Sequence, residues 1–326
     1  MSQLVTIYGG SGFVGRYIAR RMARAGWRVR VAVRRPNEAM HVKSYGVPGQ
    51  VEPVFCNIRD DASVRAVMQG ADAVVNCVGI LAESGKQRFD AVQAKGAERI
   101  ARIAADLGVA RMVHLSAIGA NKDSDSTYAR TKAAGEAGVL RHMPRAVILR
   151  PSIIFGAEDQ FFNRFAGMTR LGPILPVVGA ETRFQPVYVD DVAQAAVKGV
   201  TGEVAPGIYE LGGPEVLSFR ALMQMMLRVI RRRRLVLNIP FGIASLMAMA
   251  MELIGTVTFG LVPPQITRDQ IRNLKLDNVV SVGARTFADF GIDPVAAEAV
   301  LPDYLWRFRP AGQYETIHES ARNLKE

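Results

Sequence analysis

Cysteine and histidine are scarce in this 326-residue chain, with two Cys at 56 and 77 and four His at 41, 114, 142 and 318. Two thiols exclude a disulfide scaffold, and histidines this widely separated spell no metal site. Cys56 and Cys77 close the apolar runs Val54-Phe55-Cys56 and Val74-Val75-Asn76-Cys77, where a small apolar residue is the expected occupant. The first apolar run opens at Leu4, which leaves no room for a leader and predicts a reduced, cytoplasmic, bacterial setting. Acid is also short: 41 Lys and Arg against 30 Asp and Glu give a formal net charge of +11. Such a surface calls for an acidic partner. No helix-turn-helix, finger or basic stripe interleaved with stacking aromatics accompanies the charge, so nucleic acid is not the expected one.

The most specific feature present is the turn Gly9-Gly10-Ser11-Gly12-Phe13-Val14-Gly15, entered from Leu4-Val5-Thr6-Ile7-Tyr8 and leaving into a helical pattern. Glycines at 9, 12 and 15 answer three demands: a tight strand-to-helix turn, a backbone that approaches a pyrophosphate, and close helix-on-strand packing. The helix beginning near Phe13 aims its unpaired N–H groups and positive end at the phosphates. About twenty residues on, where a carboxylate would hold the free ribose hydroxyls of NAD, the strand Arg28–Val33 ends in Arg34 and Arg35. Two guanidiniums offer a bidentate seat for a 2′-phosphate, so the expected cofactor is NADPH (NADP). The plainer reading of these arginines is two more surface cations in a basic chain.

Strand-like runs alternate with helical patterns through the first half, at 4–8, 29–33, 51–55, 73–76, 112–115 and 146–149, with helices near 13–25, 62–69, 88–107 and 125–141. That alternation predicts an α/β fold, a Rossmann-type doubly wound parallel sheet. After Pro151 the chain becomes Gly- and Pro-punctuated, which suits a smaller, irregular carboxy-terminal region over the carboxyl ends of the strands. The expected division is a dinucleotide-binding domain at 1–155, with 184–212 returning to it, and a smaller region from 156–183 and 213–326.

Tyr128 and Lys132, four residues apart on one helical face, form a second candidate site. An ammonium beside the phenol would lower its pKa toward the range of a general acid/base. With the glycine turn, this Tyr-Ala-Arg-Thr-Lys segment resembles the extended short-chain dehydrogenase/reductase family. So do Asn57-Ile58-Arg59-Asp60, Asn76-Cys77-Val78-Gly79 and Leu149-Arg150-Pro151-Ser152-Ile153-Ile154-Phe155-Gly156. The resemblance implies that Asn57, Ile58, Cys77, Val78 and Gly79 contact adenine and ribose. It places Pro151, Ser152, Ile153 and Ile154 against the nicotinamide, and Lys132 on its ribose. Those enzymes also need a hydroxyl after the fifth strand, where this chain has Leu115-Ser116-Ala117-Ile118. Aligned one way the position is Ser116; aligned the other it is Ala117, and the polarising third of the catalytic set is missing.

Pro151 through Asn163, Gln185-Pro186-Val187-Tyr188-Val189-Asp190-Asp191-Val192 and Ile266-Thr267-Arg268-Asp269-Gln270 narrow the resemblance to the nucleotide-binding accessory subunit of respiratory complex I (NADH:ubiquinone oxidoreductase). That likeness implies a nucleotide held without turnover, other complex I subunits as partners, and a peripheral place on the cytoplasmic face of a bacterial inner membrane. A soluble NADP-dependent reductase or epimerase, with Tyr128, Lys132 and Ser116 as its catalytic set, is the alternative; a redox-sensing regulator is a third. The segment 228–264 bears on the choice: Arg231-Arg232-Arg233-Arg234 precede a helical stretch, Ile243–Ile254, that is apolar nearly all round. Too short and interrupted to cross a bilayer, it fits an anionic membrane surface, a membrane-embedded partner, or a core helix with Met filling gaps.

Overall fold

The structure, a computed structural model, describes residues 2–258 and 266–314. The end of the expected docking segment, 259–264, and the tail at 315–326 lie outside the described residues.

Seven strands, Leu4–Tyr8 (β1), Arg28–Val33 (β2), Val51–Phe55 (β3), Ala73–Asn76 (β4), Arg111–Leu115 (β5), Val147–Pro151 (β6) and Gly207–Leu211 (β7), form one sheet. Its order is β3-β2-β1-β4-β5-β6-β7 with every pairing parallel. The order reverses between β1 and β4, and the carboxyl ends of these two strands open the crevice where a doubly wound sheet takes its ligand.

Helices cover both faces. Phe13–Arg24 (α1) packs on one, with β1, β2 and the later helix Val189–Thr201 sharing its core; Asp61–Met68 (α2), Lys95–Asp106 (α3) and Thr127–His142 (α4) pack on the other. The run expected as one helix at 88–107 opens as a single π turn at Asp90–Ala94 before α3. A methyl on Gly135 of α4 would stand 2.3 Å from Gln93 O, so the displaced backbone of the π turn and the bare glycine fit each other.

The carboxy-terminal region has its own core, in which Phe162–Met168 (α5), Phe219–Val229 (α7) and Ala297–Leu305 (α10) close around Phe155, Phe184 and Leu175. We number Val189–Thr201 α6. Ile174–Val178 pairs in parallel with Leu235–Ile239, so the run after the arginines begins as a strand. Phe241–Val257 (α8) and Arg268–Asn273 (α9) follow. Among the described side chains of α8 the buried ones are Ala244 and Ala248, while Leu246 and Leu253 are 63% and 65% exposed. Small side chains face in and large apolar ones face out, the reverse of an ordinary amphipathic surface helix. No helix among the described residues is long and apolar enough to cross a membrane.

Candidate functional site

At the carboxyl ends of β1, β4, β5 and β6 lies a cleft of about 780 Å³. Its first wall is the glycine turn. Gly9 sits at φ +75°, where L side chains are strained, and a methyl on Gly15 would stand 2.3 Å from Gly9 O and 2.7 Å from Gly10 Cα. Only a bare backbone allows α1 to start this close to β1. The start of α1 is bare in a second sense: its N-cap, Gly12, offers no side-chain acceptor, and the first turn carries no acid. Leading N–H groups of a helix without a cap are an anion seat.

The opposite wall is α4, and its start is built the other way. Ser126 Oγ accepts from Ala129 N at 3.3 Å. The carboxylate of Asp269, on α9, accepts from Ser126 Oγ (2.9 Å), Thr127 N (2.7 Å) and Tyr128 N (3.1 Å). A carboxylate on the first turn satisfies its donors and its dipole together. Asp269 belongs to the Ile266–Gln270 motif, whose Thr267 and Gln270 form a reciprocal capping box for α9 itself.

Between the walls, Lys132 Nζ donates to Leu115 O at 3.2 Å and lies 5.9 Å from the centre of the Tyr128 ring. The ammonium faces the ring rather than activating the hydroxyl. Burial pushes Lys132 down to about 8 and Tyr128 up to about 12. The expected lowering of the phenol pKa is therefore corrected: desolvation of both groups dominates, and Tyr128 keeps its proton near neutrality. Below Lys132, Glu136 takes a bidentate pair from Arg150 of β6 (2.9 and 2.6 Å), which pins α4 to the sheet.

Ser116 and Ala117 both line the cleft. Ser116 is buried, and its Oγ has no hydrogen-bond partner among the described residues. An orphaned buried hydroxyl at a cleft wall is what a polar ligand group would complete. His114 Nδ1, 3.1 Å from the Asn76 amide, is paired, whereas its Nε2 is not, and burial pushes the ring down to about 3, keeping it neutral.

The structure brings Gly9, Gly12 to Gly15, Cys77, Gly79, Ser116, Tyr128, Lys132 and the segment Pro151 to Ile154 to one cleft. Gly10 lies buried beneath the turn, while Ser11 and Val78 flank the lining residues. Asn57 and Ile58 follow β3 outside the cleft wall; Ile58 packs against Gly96, and Asn57 Oδ1 accepts from Arg59 N at 3.2 Å. Arg34 and Arg35, past the end of β2, are exposed and also outside it. Arg35 pairs with Glu38 at 2.9 Å, whereas Arg34 has no polar partner among the described residues.

The sequence reading missed the far half of the cleft, formed by Phe161, Phe165, Asp269, Asn273 and Asn278. The Phe161 wall is held by Asp159, which accepts from Gly156 N, Phe161 N, Asn163 N and, at 2.5 Å, Tyr304 Oη. A motif read as a family signature is thus a folded knot behind the site.

Cradle, bare helix start and orphaned hydroxyl together fit a dinucleotide. The chain belongs to the NAD dependent epimerase/dehydratase family, whose model matches residues 5–212. Among its relatives, the mitochondrial NADH dehydrogenase [ubiquinone] 1 alpha subcomplex subunit 9 of Arabidopsis thaliana is 35% identical over 95% of this chain and 79% of that one. The mitochondrial NADH-ubiquinone oxidoreductase 40 kDa subunit of Neurospora crassa is 31% identical over 98% and 84%. The chain shares its fold with the Bordetella bronchiseptica enzyme WbmH, solved in complex with NAD+, at a TM-score of 0.69 and 18% identity, covering 96% of this chain and all of that one.

Proposed function

We propose that this chain is a non-catalytic accessory subunit of a bacterial respiratory complex I, holding NADPH on the cytoplasmic face of the inner membrane. The observation that carries the reading is the near full-length likeness to complex I subunits from a plant and a fungus. The site agrees with it. The bare start of α1 and Gly9 to Gly15 hold the pyrophosphate, Arg34 with Arg35 the 2′-phosphate, and Lys132 with Tyr128 the nicotinamide ribose. Asn57, Ile58, Cys77, Val78 and Gly79 flank the adenosine half, and Pro151 to Ile154 the nicotinamide. A nucleotide so held stabilises the fold by mass action. The inside-out face of α8 and the arginines before it, within 228–264, give the surface that meets membrane subunits or lipid.

Mass spectrometry of a native membrane extract tests this. Co-purification with complex I subunits and retained NADPH is the expected result, and recovery as a free species with no such subunits sinks it. A second reading, an NADP-dependent reductase, has one observation in its favour: Ser116 Oγ is unpartnered in the same cleft as Tyr128 and Lys132. It requires a carbonyl substrate whose addition consumes NADPH, and the absorbance change must vanish in Tyr128→Phe.

A further inference from the structure

Three segments distant in sequence meet around Phe308. Arg232 Nε donates to Phe308 O (2.8 Å), Arg234 Nε to Thr169 O (3.0 Å), Arg170 Nη2 to Arg307 O (2.8 Å) and Arg309 Nε to Val229 O (3.0 Å). Arg170 and Arg307 also stand over the Phe308 ring, 5.0 and 5.2 Å from its centre. These acceptors are carbonyls, and the further contacts of Arg307 are to Ala157 O and Asn163 Oδ1. Such bonds orient a guanidinium without neutralising it. Among the described residues no carboxylate lies within ion-pair distance of these five arginines. The crowding registers at Arg232, held below its ordinary pKa by burial and then by Arg234 and Arg170.

Apolar surface adjoins the cluster. Leu171 is 88% exposed and Leu235 63%, with Ile174, Leu237 and Trp306 also exposed. The two kinds of surface are continuous: Leu235 N donates to Pro173 O at 3.0 Å and Leu235 pairs in register with Ile174, directly after Arg234. Guanidiniums bind phosphates through paired N–H groups, and an aromatic at the edge of an apolar face suits the headgroup level of a bilayer. A soluble polyanion would use the arginines and leave Leu171 and Leu235 bare.

We propose that Arg170, Arg232, Arg234, Arg307 and Arg309, with Leu171, Ile174 and Leu235, seat the chain on an anionic phospholipid leaflet, guanidiniums on the phosphates and leucines among the acyl chains. The inference deepens the reading of the chain as a membrane-side subunit, and it has its own test, since vesicle binding is measured on the isolated chain without other subunits. The surface is composite; a linear run of cations at 231–234 would not have predicted its partners at 170, 307 and 309.

Co-sedimentation of the full chain with phosphatidylcholine vesicles, with and without phosphatidylglycerol, is the experiment. Binding is expected only where phosphatidylglycerol is present, weakening with added salt. Arg170→Gln with Arg307→Gln lowers the partition coefficient about 25-fold, roughly five-fold per charge at an anionic surface. Leu171→Ser with Leu235→Ser removes the binding that survives high salt, and carries the test alone if the arginine pair melts early. Equal binding to pure phosphatidylcholine overturns the proposal, and so does unchanged binding by both variant pairs. Loss of binding in Leu246→Ser with Leu253→Ser, while the arginine pair still binds, overturns it in favour of α8. Unaltered NADPH affinity in the variants separates lost docking from lost fold.

Discussion

Two helices start at the cleft, and they start in opposite ways. At α1 the N-cap is Gly12, with no side-chain acceptor and no acid in the first turn; at α4 Ser126 caps the helix and Asp269 adds a carboxylate across more than 140 residues of sequence. Both ends carry the same orphan N–H groups and the same positive dipole. One is closed by the protein's own anion and the other is left open. The difference separates a helix start that the fold itself completes from one that is available to an anionic ligand.

The largest effect is expected where the open start is blocked. Gly15→Ala places a methyl 2.3 Å from Gly9 O, a backbone atom that cannot swing aside as a side chain tip would. A loss of about 3 kcal/mol or more is expected, together with loss of the NADPH-induced rise in melting temperature. Thermal melts with and without NADPH check both halves. A variant that melts like wild type and still responds to NADPH would refute the assignment of the turn.

Next comes the closed start. Asp269→Ala removes an acceptor for three donors and the charge on the α4 dipole, for a loss of about 2 kcal/mol in thermal or urea unfolding. Because Asp269 also lines the cleft, the variant offers α4 as a second open anion seat. An NADPH affinity that falls less than the stability does would show that the capping is structural.

Lys132 turns the comparison into a pH experiment. Its folded value, about 8, lies below the ordinary 10.5, so the unfolded chain holds more protons between those limits and stability rises with pH there. Tyr128, raised from 10.0 to about 12, works in the opposite sense above pH 10, as does Cys77, raised from 9.0 to about 12, above pH 9. The difference between wild type and Lys132→Met cancels most of this. Urea unfolding from pH 8 to 10 should show the variant's relative stability falling by on the order of 2 kcal/mol as wild-type Lys132 loses its proton. A difference that does not change with pH would mean the ammonium is not desolvated in the folded protein.

What the sequence revealed and what it hid follow from the range of each interaction. The tight strand-to-helix turn at Gly9 to Gly15 is local, so spacing alone located it, and the alternating pattern located most strands of the sheet. The α4 cap was invisible because Ser126 and Asp269 are far apart in sequence, although the Ile266–Gln270 motif marked one partner. Tyr128 and Lys132 were placed correctly on one face, but spacing says nothing of desolvation, and the direction expected for the phenol was wrong. On α8 composition showed an apolar helix; only packing shows that Ala244 and Ala248 are its inner face.

The smallest effect concerns the two arginines proposed to distinguish one dinucleotide from the other. Both stand past β2, yet Arg35 is already paired with Glu38 at 2.9 Å while Arg34 has no partner among the described residues. Recruiting Arg35 to a 2′-phosphate means breaking an exposed ion pair worth under about 1 kcal/mol, whereas Arg34 gives up only water. Arg34→Gln should therefore weaken NADPH binding about ten-fold, the worth of one charge-assisted hydrogen bond, and leave NADH within about two-fold. Arg35→Gln should do less, and Glu38→Gln should improve NADPH binding slightly by releasing Arg35. Isothermal titration of the three variants with both nucleotides checks the order. Equal losses for NADPH and NADH in Arg34→Gln would remove the 2′-phosphate from the account, leaving the open helix start as the sole anion seat on that side of the cleft.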